Sequence, residues 1–256
     1  MLAEKLIDAH ALELAAIIVE PVLGSMGMIP ASSEFLQALR RASERHDIVL
    51  IFDEVITFRL SDGGAQKSLG VEPDLTCMGK IIGGGLPVGG IGGKASLMQF
   101  FSPDQKRPVM HASTFSGNAL TMAAGLAAML SYTATEAERL NALGDRLRAG
   151  FNEAFSQAGI KAQALGSGSL TNLHFTTDAV HDARDAFEAI VSAGQLSSYL
   201  HLTMLRHGIM SATRLMYCTS TAMSESEIDL AIAAMHQSLA ELLPFIEADW
   251  PGLITS

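Results

Sequence analysis

The sequence predicts an α/β fold in which the strands of a parallel sheet alternate with helices. Ile48 to Phe52 form an unbroken apolar run rich in β-branched and aromatic residues, as in a strand that is covered on both faces of a parallel sheet. Residues 33 to 46 place apolar side chains on one helical face and charged ones on the other. Beyond residue 166, strand patterns again alternate with helical ones, which predicts a second, smaller α/β domain.

The first predicted elements end in acidic side chains. Residues 1 to 16 are typical of the end of a helix, and Ala16 to Val19 of a strand that stops at Glu20. The amphipathic helix then crosses over to the strand Ile48 to Phe52, which Asp53 follows. Two carboxylates are therefore expected at the ends of two strands.

The middle of the chain predicts two helices and a boundary. The helix Glu136 to Phe155 lies beyond a composition shift at residues 131–133, which divides the chain into domains 1–131 and 132–256. Before the shift, Gly117-Asn118 precede a helix rich in alanine and methionine, a content that packing explains. The apolar face expected to pack consists of Leu120, Ala123, Ala124, Ala127 and Leu130.

The smaller domain is predicted from shorter patterns. Gly166 to Ser169 is typical of a turn, and Leu170 to Phe175 of a strand. A helix from Ser197 to His207 stops before a glycine, and a short strand, Leu215 to Thr219, follows. The last helix, Ser224 to Leu243, opens with the pattern of a capping box.

Composition excludes several classes of function. The net charge is −10 with no basic run, which argues against nucleic acid or an anionic membrane surface as a partner. Cys77 and Cys218 form no disulfide framework, and neither the cysteines nor the scattered histidines have metal-ligand spacing, so no metal is expected. No signal peptide or membrane-spanning run is recognised, so the cytoplasm is the expected location.

Asp53 is the first candidate for a functional group. It lies at the carboxyl end of a predicted strand, where open α/β sheets bind their ligands. Burial of an unpaired carboxylate is costly, so Asp53 needs a cation or a hydrogen-bond donor nearby. From the local sequence alone, capping of a neighbouring helix or pairing with Arg59 explains Asp53 at least as well.

Lys80 favours a functional role for Asp53 over a structural one. It is the one cation in the apolar segment Leu75 to Ile82, and a lysine is rarely buried without a partner or a task. Desolvation lowers the pKa of a lysine, and the neutral amine is the form that makes a Schiff base. The glycine cluster from Gly83 to Gly90 would let the backbone approach a bound group closely. A Schiff-base lysine and a separate aspartate are the pair that pyridoxal phosphate requires, one for its aldehyde and one for its pyridine nitrogen.

Spacing excludes two other glycine-rich sites. A Walker A loop that ended in Gly93-Lys94 would need glycine at Val88 and serine or threonine at Ala95. No glycine triplet has the spacing of a dinucleotide-binding fingerprint directly after a strand. The cluster therefore predicts neither of these nucleotide sites.

Five motifs occur in one order along the chain: IIVEPVLGSMGMIP, IFDEV, GGAQ, GVEPDLTCMGKIIGGGLPVGGIGG and STFSGN. Together they resemble the class III pyridoxal-phosphate aminotransferases, and among these the glutamate-semialdehyde aminomutase-like branch. The resemblance implies the carboxyl-terminal part of the large-domain mixed sheet, with flanking helices, of the aspartate-aminotransferase-like fold. It also implies a small α/β carboxyl-terminal domain.

The resemblance assigns roles to five residues. Lys80 is the implied Schiff-base lysine and catalytic residue, and Asp53 the partner of the pyridine nitrogen. Val55 is expected to pack on the cofactor ring, and Thr114 to bind the phosphate of the neighbouring subunit's cofactor, which implies a homodimer. Glu20 is implied near the cofactor, although a plain strand-end acid explains it equally well.

The substrate is less defined. The implied reaction transfers an amino group from an amino donor to a carbonyl acceptor, or moves it within an amino aldehyde or amino acid. Arg214 has the charge for a substrate carboxylate, and a solvated surface arginine is the alternative. True aminomutases have an acidic residue close to this position, where this chain has Leu215, which argues against strict aminomutase activity. Ser25 stands where many ω-amino-acid enzymes have a gating glutamate, which argues against a diamine or ornithine-type substrate.

A second hypothesis comes from what is missing. Family members carry on the order of 150 further residues, a domain-sized piece, before the equivalent of Met1. By the resemblance, that piece supplies the phosphate cup and the aromatic ring that stacks on the pyridine. The alternative is therefore a truncated, catalytically inactive fragment that keeps the fold as a binding or oligomerisation module.

Overall fold

The computed structural model describes residues 1–255, which pack as two compact units. The first unit comprises residues 1–21 and 31–134, and the second comprises residues 22–30 and 135–255 of the described chain. Within residues 1–255, no helix is both long and apolar enough to cross a membrane.

Nine strands and nine α-helices make up most of residues 1–255. The strands are β1 Ala16–Val19, β2 Val22–Leu23, β3 Ile29–Pro30, β4 Val49–Asp53, β5 Leu75–Gly79, β6 Gly89–Gly93, β7 Gln163–Ser167, β8 Leu170–His174 and β9 Met216–Cys218 within residues 1–255. Over the same residues, the helices are α1 Leu2–Ala9, α2 Ser33–Arg45, α3 Gly64–Leu69, α4 Ala95–Met98, α5 Ala119–Ser131, α6 Ala134–Gln157, α7 Ala183–Ala193, α8 Leu196–Arg206 and α9 Glu225–Asp249. A short 3₁₀ helix, Lys80–Gly83, follows β5 directly.

The first unit is built on a four-stranded sheet in the order β1-β4-β5-β6. The first three strands are parallel, with Val19 opposite Phe52 and Asp53 opposite Cys77, and β6 runs antiparallel to β5. Helix α2 packs against β4 and α1 packs against α2, which confirms the predicted strand and its crossover helix. The buried core of this layer consists of Ile7, Leu36, Leu39, Ala42, Ile48, Leu50, Phe52 and Val71.

The second unit is built on the antiparallel sheet β7-β8-β9. Every residue of the central strand β8 is buried. The hairpin β2–β3 packs with this unit, although first-unit residues flank it in the sequence. The predicted capping box of α9 is confirmed, because the Ser224 N–H donates to Glu227 (2.7 Å) and the Ser224 hydroxyl accepts from Ser226 N.

Helix α5 packs through a different face from the one predicted. Thr121 and Gly125 are its buried residues, whereas Leu120, Ala123, Ala127 and Leu130 are exposed. A Cβ added at Gly125 would lie 2.2 Å from the Ile82 carbonyl oxygen. The backbone approach is so close that only the smallest side chains fit, and this condition overrides the apolar periodicity.

The predicted turn at Gly166 to Ser169 is shorter in the structure. Gly166 and Ser167 belong to β7, and Ser167 pairs with Leu170, so the hairpin loop is Gly168-Ser169 alone. Gly168 has φ +49°, a conformation that glycine adopts without strain. Strand β7 therefore extends two residues farther into the predicted turn than the glycine pattern suggested.

Candidate active site

The carboxyl edge of the parallel strands collects the predicted acids. Val19 is the last residue of β1 and lies opposite Phe52, so Glu20, which follows β1, and Asp53, which ends β4, lie at the same edge. Lys80 follows the end of the next strand, β5. The structure thus brings three of the sequence-predicted residues to one edge of one sheet, where α/β folds bind ligands.

Asp53 keeps part of its carboxylate free. Its Oδ1 accepts a hydrogen bond from Val55 N (3.1 Å), and Oδ2 has no hydrogen-bond partner within residues 1–255. The side chain is half-buried and forms no ion pair with any described residue. Neither helix capping nor a bond to Arg59 therefore accounts for this acid, and one of its oxygens can accept a proton donor.

Cys77 lies beside Asp53 on the neighbouring strand. The two residues are opposite each other in the β4–β5 register. Burial raises the pKa of the Cys77 thiol, and the negative charge of Asp53 raises it further. Because only the thiolate is a strong nucleophile, Cys77 is held in its unreactive neutral form at this edge.

Lys80 is exposed, which corrects the expectation of a buried lysine. Its side chain points out of the apolar segment because the backbone turns at this residue, from extended Gly79 into the 3₁₀ helix. Its ammonium has no hydrogen bond or ion pair within residues 1–255. The backbone φ of Lys80 is +48°, a left-handed conformation that is strained for a residue with a Cβ. The tertiary structure thus stabilises an unfavourable backbone at the implied Schiff-base lysine.

Val55 supports the backbone next to this lysine. A Cβ added at Gly79 would lie 3.2 Å from Val55 Cγ1 and 3.4 Å from the Val88 carbonyl oxygen. Glycine at position 79 therefore lets the Val55 side chain pack directly against the residue that precedes Lys80. The structure places Val55 at the same edge as Asp53 and Lys80.

The glycine cluster after Lys80 packs against a helix. A Cβ added at Gly84 would lie 2.2 Å from the Ala124 carbonyl oxygen of α5. The expectation that these glycines admit a bound group is thus wrong for Gly84, which admits the α5 backbone. Helix α5 is thereby fixed to the 3₁₀ helix that begins at Lys80.

Thr114 lies in an exposed turn that leads into α5. Ser113 N donates to Ser116 Oγ (2.9 Å), and Ser116 N donates to the Ser113 carbonyl (3.1 Å), which closes the turn around Thr114. Asn118 then caps α5 by accepting from Leu120 N (3.1 Å). The Thr114 side chain is exposed.

Glu54, the carboxylate that follows Asp53, was not predicted from the sequence. Glu54 is fully buried, and its oxygens accept from Gln66 N (3.0 Å), Gln66 Nε2 (3.0 Å), Ala65 N and Thr57 Oγ1 (3.1 Å). The GGAQ motif is the signal that could have revealed it. A Cβ at Gly64 would lie 2.5 Å from Glu54 Oε2, so the motif needs glycine there.

Arg214 belongs to the second unit. Its guanidinium is exposed, with Nη2 3.7 Å from Met216 Sδ, while its carbonyl accepts from Asn172 Nδ2 (3.3 Å). The next residue, Leu215, is buried with φ +59°. The backbone at Arg214 is therefore fixed while its side chain stays in solvent.

No group of three or more histidine, cysteine or acidic side chains in residues 1–255 has the arrangement of a metal site.

Known proteins are similar to this chain in sequence and in fold. The family model for class III aminotransferases matches residues 2–236. The chain belongs to the class III aminotransferases. It is 40% identical over 244 residues to the glutamate-1-semialdehyde 2,1-aminomutase of Akkermansia muciniphila, a match that covers 93% of this chain and 56% of that protein.

Solved structures of class III aminotransferases agree with the fold. An ω-transaminase from Sphaerobacter thermophilus superimposes with a TM-score of 0.88 at 42% identity, covering 93% of this chain and 54% of that one. A transaminase with PLP bound gives a TM-score of 0.83 at 31% identity, covering 94% and 55%. The chain spans about half the length of the curated relatives it matches. The family and fold predictions are confirmed.

Proposed function

We propose that this chain carries the lysine half of a pyridoxal-phosphate site and that it takes part in amino-group transfer. The observation that supports the proposal most directly is the edge of the first-unit sheet, where Lys80 has an unpaired ammonium and Asp53 an unpaired oxygen. Membership of the class III aminotransferases and the neighbour with PLP bound support the same cofactor. By this proposal, residues 1–131 are part of a cofactor domain and 132–256 a small domain.

The residues present fit the cofactor in three respects. Lys80 has no competing anion, so its nitrogen is available to an aldehyde. Asp53 offers Oδ2 to a protonated ring nitrogen, while Val55 N fixes Oδ1 (3.1 Å). Val55 also presents an apolar side chain beside Gly79. Pyridoxal phosphate, when bound, supplies the aldehyde and a pyridinium ring that takes up an electron pair.

The side chains have distinct tasks in this proposal. Lys80 Nζ would supply the amine that holds the aldehyde, and whenever it is not bonded to the aldehyde it would be able to carry a proton at the same place. Asp53 Oδ2 holds the ring proton through charge and hydrogen bonding. Val55 restricts the ring to one orientation, and Glu20 adds a carboxylate to the same edge.

Both modes of amino transfer remain proposals for this chain. Relatives include glutamate-1-semialdehyde aminomutases, β-phenylalanine transaminase and an ω-transaminase. We assign Arg214 to a substrate carboxylate, because its guanidinium is exposed on a fixed backbone. The substrates of this proposal are an amino donor and a carbonyl acceptor, or one molecule that serves as both.

We also propose a homodimer in the cytoplasm. The exposed turn at Thr114 supports an interaction with a neighbouring subunit's cofactor phosphate. The acidic net charge, −10, supports the absence of nucleic acid among the partners.

Trapping of the lysine tests the proposal. Purified chain is mixed with pyridoxal phosphate, its visible absorbance is recorded, and borohydride is added before peptide mass mapping. We expect a reduced adduct on Lys80 in the parent and none on the corresponding peptide of Lys80→Ala. Lys67→Ala is the matched control, because Lys67 is also exposed but is paired with Asp62 (2.6 Å).

The outcome separates the two hypotheses. An adduct on Lys80 that is lost in Lys80→Ala and kept in Lys67→Ala supports the cofactor site, and an amino-donor screen then follows. Adducts spread equally over exposed lysines, or none at all, would show that this polypeptide alone does not form the site. The alternative of a binding or oligomerisation module would then be favoured.

A further inference from the structure

The two faces of the strand ends carry different chemistry. Because side chains alternate along a strand, Asp53 and Glu54 point to opposite faces of the sheet. Asp53 shares its face with Cys77, which lies opposite it in the register. Thr76 lies opposite Phe52, two residues before Glu54, and therefore on the Glu54 face. The face behind the candidate site therefore carries the polar side chains of Thr76 and Glu54 next to the apolar Phe52, and both polar side chains are buried.

Glu54 connects that hidden face to a loop and a helix. Its N–H donates to the Cys77 carbonyl (2.9 Å), so the ladder between β4 and β5 continues one residue past Asp53. Its carboxylate accepts from Thr57 on one side and from Ala65 and Gln66 on the other. Four hydrogen-bond donors satisfy a carboxylate that has no access to water. Because burial of an acid without partners costs free energy, the buried state of Glu54 depends on all four donors.

Gln66 extends the network to the second strand. Its Nε2 lies 3.0 Å from Glu54 Oε1 and 3.0 Å from Thr76 Oγ1, so one amide group links the two strands. Thr76 stands four residues before Lys80 on the strand that ends at this lysine. Hydrogen bonds on the face opposite Asp53 therefore connect the end of β4, which carries Asp53, to β5, which leads to Lys80.

We propose that Glu54 and Gln66 are positioning residues that set the relative placement of Asp53 and Lys80. The inference rests on the proposed cofactor site and deepens it. Neither side chain contacts the candidate site directly, and each acts through the strand ends that it joins. The strained φ of Lys80, +48°, is the kind of conformation that persists only when its surroundings fix it, and this network holds the strand that leads to Lys80 at Thr76, four residues earlier.

Asp74 provides a matched control for the test. It is also a buried acid of the same sheet, 7% exposed, but it lies just before β5, at the opposite end from Lys80. It accepts from Leu50 N (2.7 Å) and pairs with Lys94 (2.6 Å) and Arg40 (3.1 Å). Asp74→Asn and Glu54→Gln make the same chemical change, carboxylate to amide, at opposite edges of one sheet.

The experiment compares the parent with Glu54→Gln, Asp74→Asn and the milder Gln66→Met. Thermal unfolding defines a temperature at which all four proteins are folded. At that temperature, pyridoxal phosphate affinity is measured by absorbance, and amide hydrogen exchange is measured without the cofactor. We expect Glu54→Gln and Asp74→Asn to unfold at lower temperatures than the parent, because each leaves buried donors or acceptors without a matching partner.

Only the Glu54 network should affect the lysine. We expect Glu54→Gln to raise the Kd for pyridoxal phosphate about tenfold or more, as loss of a supporting partner does at other ligand sites. We also expect it to speed exchange in Lys80–Gly83, with a smaller effect of Gln66→Met and none of Asp74→Asn. A Kd and an exchange rate in Glu54→Gln that match those of Asp74→Asn would overturn the inference.

The two proposals can fail separately. A parent that takes up pyridoxal phosphate on Lys80, with unchanged affinity and exchange in Glu54→Gln, keeps the cofactor site and removes the positioning role. A parent that does not take up the cofactor removes the proposed function. Exchange in Lys80–Gly83 then decides the positioning role alone, because faster exchange in Glu54→Gln supports it and unchanged exchange rejects it.

Discussion

At the scale of single residues, Lys80 combines a functional side chain with an unfavourable backbone. Its φ of +48° is one of four positive values among the non-glycine residues in 1–255, and the others are at Met28, Asp47 and Leu215. Glycine adopts this conformation without a Cβ clash, so selection for stability alone would favour glycine. A lysine at this position is consistent with a role for its amine.

Substitution of Lys80 separates backbone strain from chemistry. We expect Lys80→Gly to be more stable than Lys80→Ala by roughly 1 kcal/mol, since only glycine relieves the left-handed strain. Both variants should lose the borohydride-trapped adduct. Urea unfolding at neutral pH measures the difference in stability, and equal midpoints for the two variants would contradict the strained backbone.

A buried histidine predicts the pH dependence of the second unit. His174 is 2% exposed, its Nε2 donates to the Gly27 carbonyl (2.8 Å), and its Nδ1 has no partner in residues 1–255. Burial lowers the pKa of His174, and the bond to Gly27 offsets only part of that effect. As the pH falls below the ordinary pKa of 6.5, the unfolded chain therefore takes up protons that the folded one resists.

His174→Gln should make stability less sensitive to pH. Glutamine can still donate to Gly27 but does not titrate, so we expect the parent to lose more stability than the variant between pH 7.5 and pH 5.5, a range of roughly one unit on each side of 6.5. Urea midpoints at the two pH values measure this, and the other histidines are common to both proteins. An equal loss in parent and variant would exclude His174 as the cause.

At the scale of elements, α5 shows how close backbone contact selects residues. Gly125 meets the Ile82 carbonyl, and Gly84 meets that of Ala124, so glycine is needed on both partners. Apolar periodicity predicted another face because it weighs hydrophobicity and ignores distance between backbones. The large residues Leu120, Leu126 and Leu130 are left exposed as a consequence.

A single methyl group tests this packing. Gly125→Ala would normally favour a helix, yet here we expect it to destabilise the chain by roughly 2 kcal/mol, because the added Cβ overlaps the Ile82 carbonyl oxygen. Gly89→Ala is the control, since a Cβ there would meet nothing within 4 Å. Thermal unfolding compares them, and a neutral or stabilising Gly125→Ala would show that α5 lies farther from the 3₁₀ helix.

At the scale of the whole molecule, two units with separate sheets share one chain. The first has the parallel strands whose carboxyl edge holds the candidate site, and the second has the antiparallel sheet with Arg214 beside it. The chain also crosses between the units at residues 22–30, because the β2–β3 hairpin packs with β7. No local pattern in the sequence signals such an exchange, since the hairpin's partner lies more than 130 residues away.

The sequence by itself determined what depends on near neighbours in the chain. The apolar run before Asp53, the amphipathic α2 and the capping box of α9 are set by periodicity and local hydrogen bonding, and each was predictable. The motifs around Asp53 and Lys80 likewise identified the family. Only the tertiary structure decided the exposure of Lys80, the packed face of α5 and the network of Glu54. These depend on how closely distant backbones approach and on which donors surround a buried group, and residues far apart in the sequence set both.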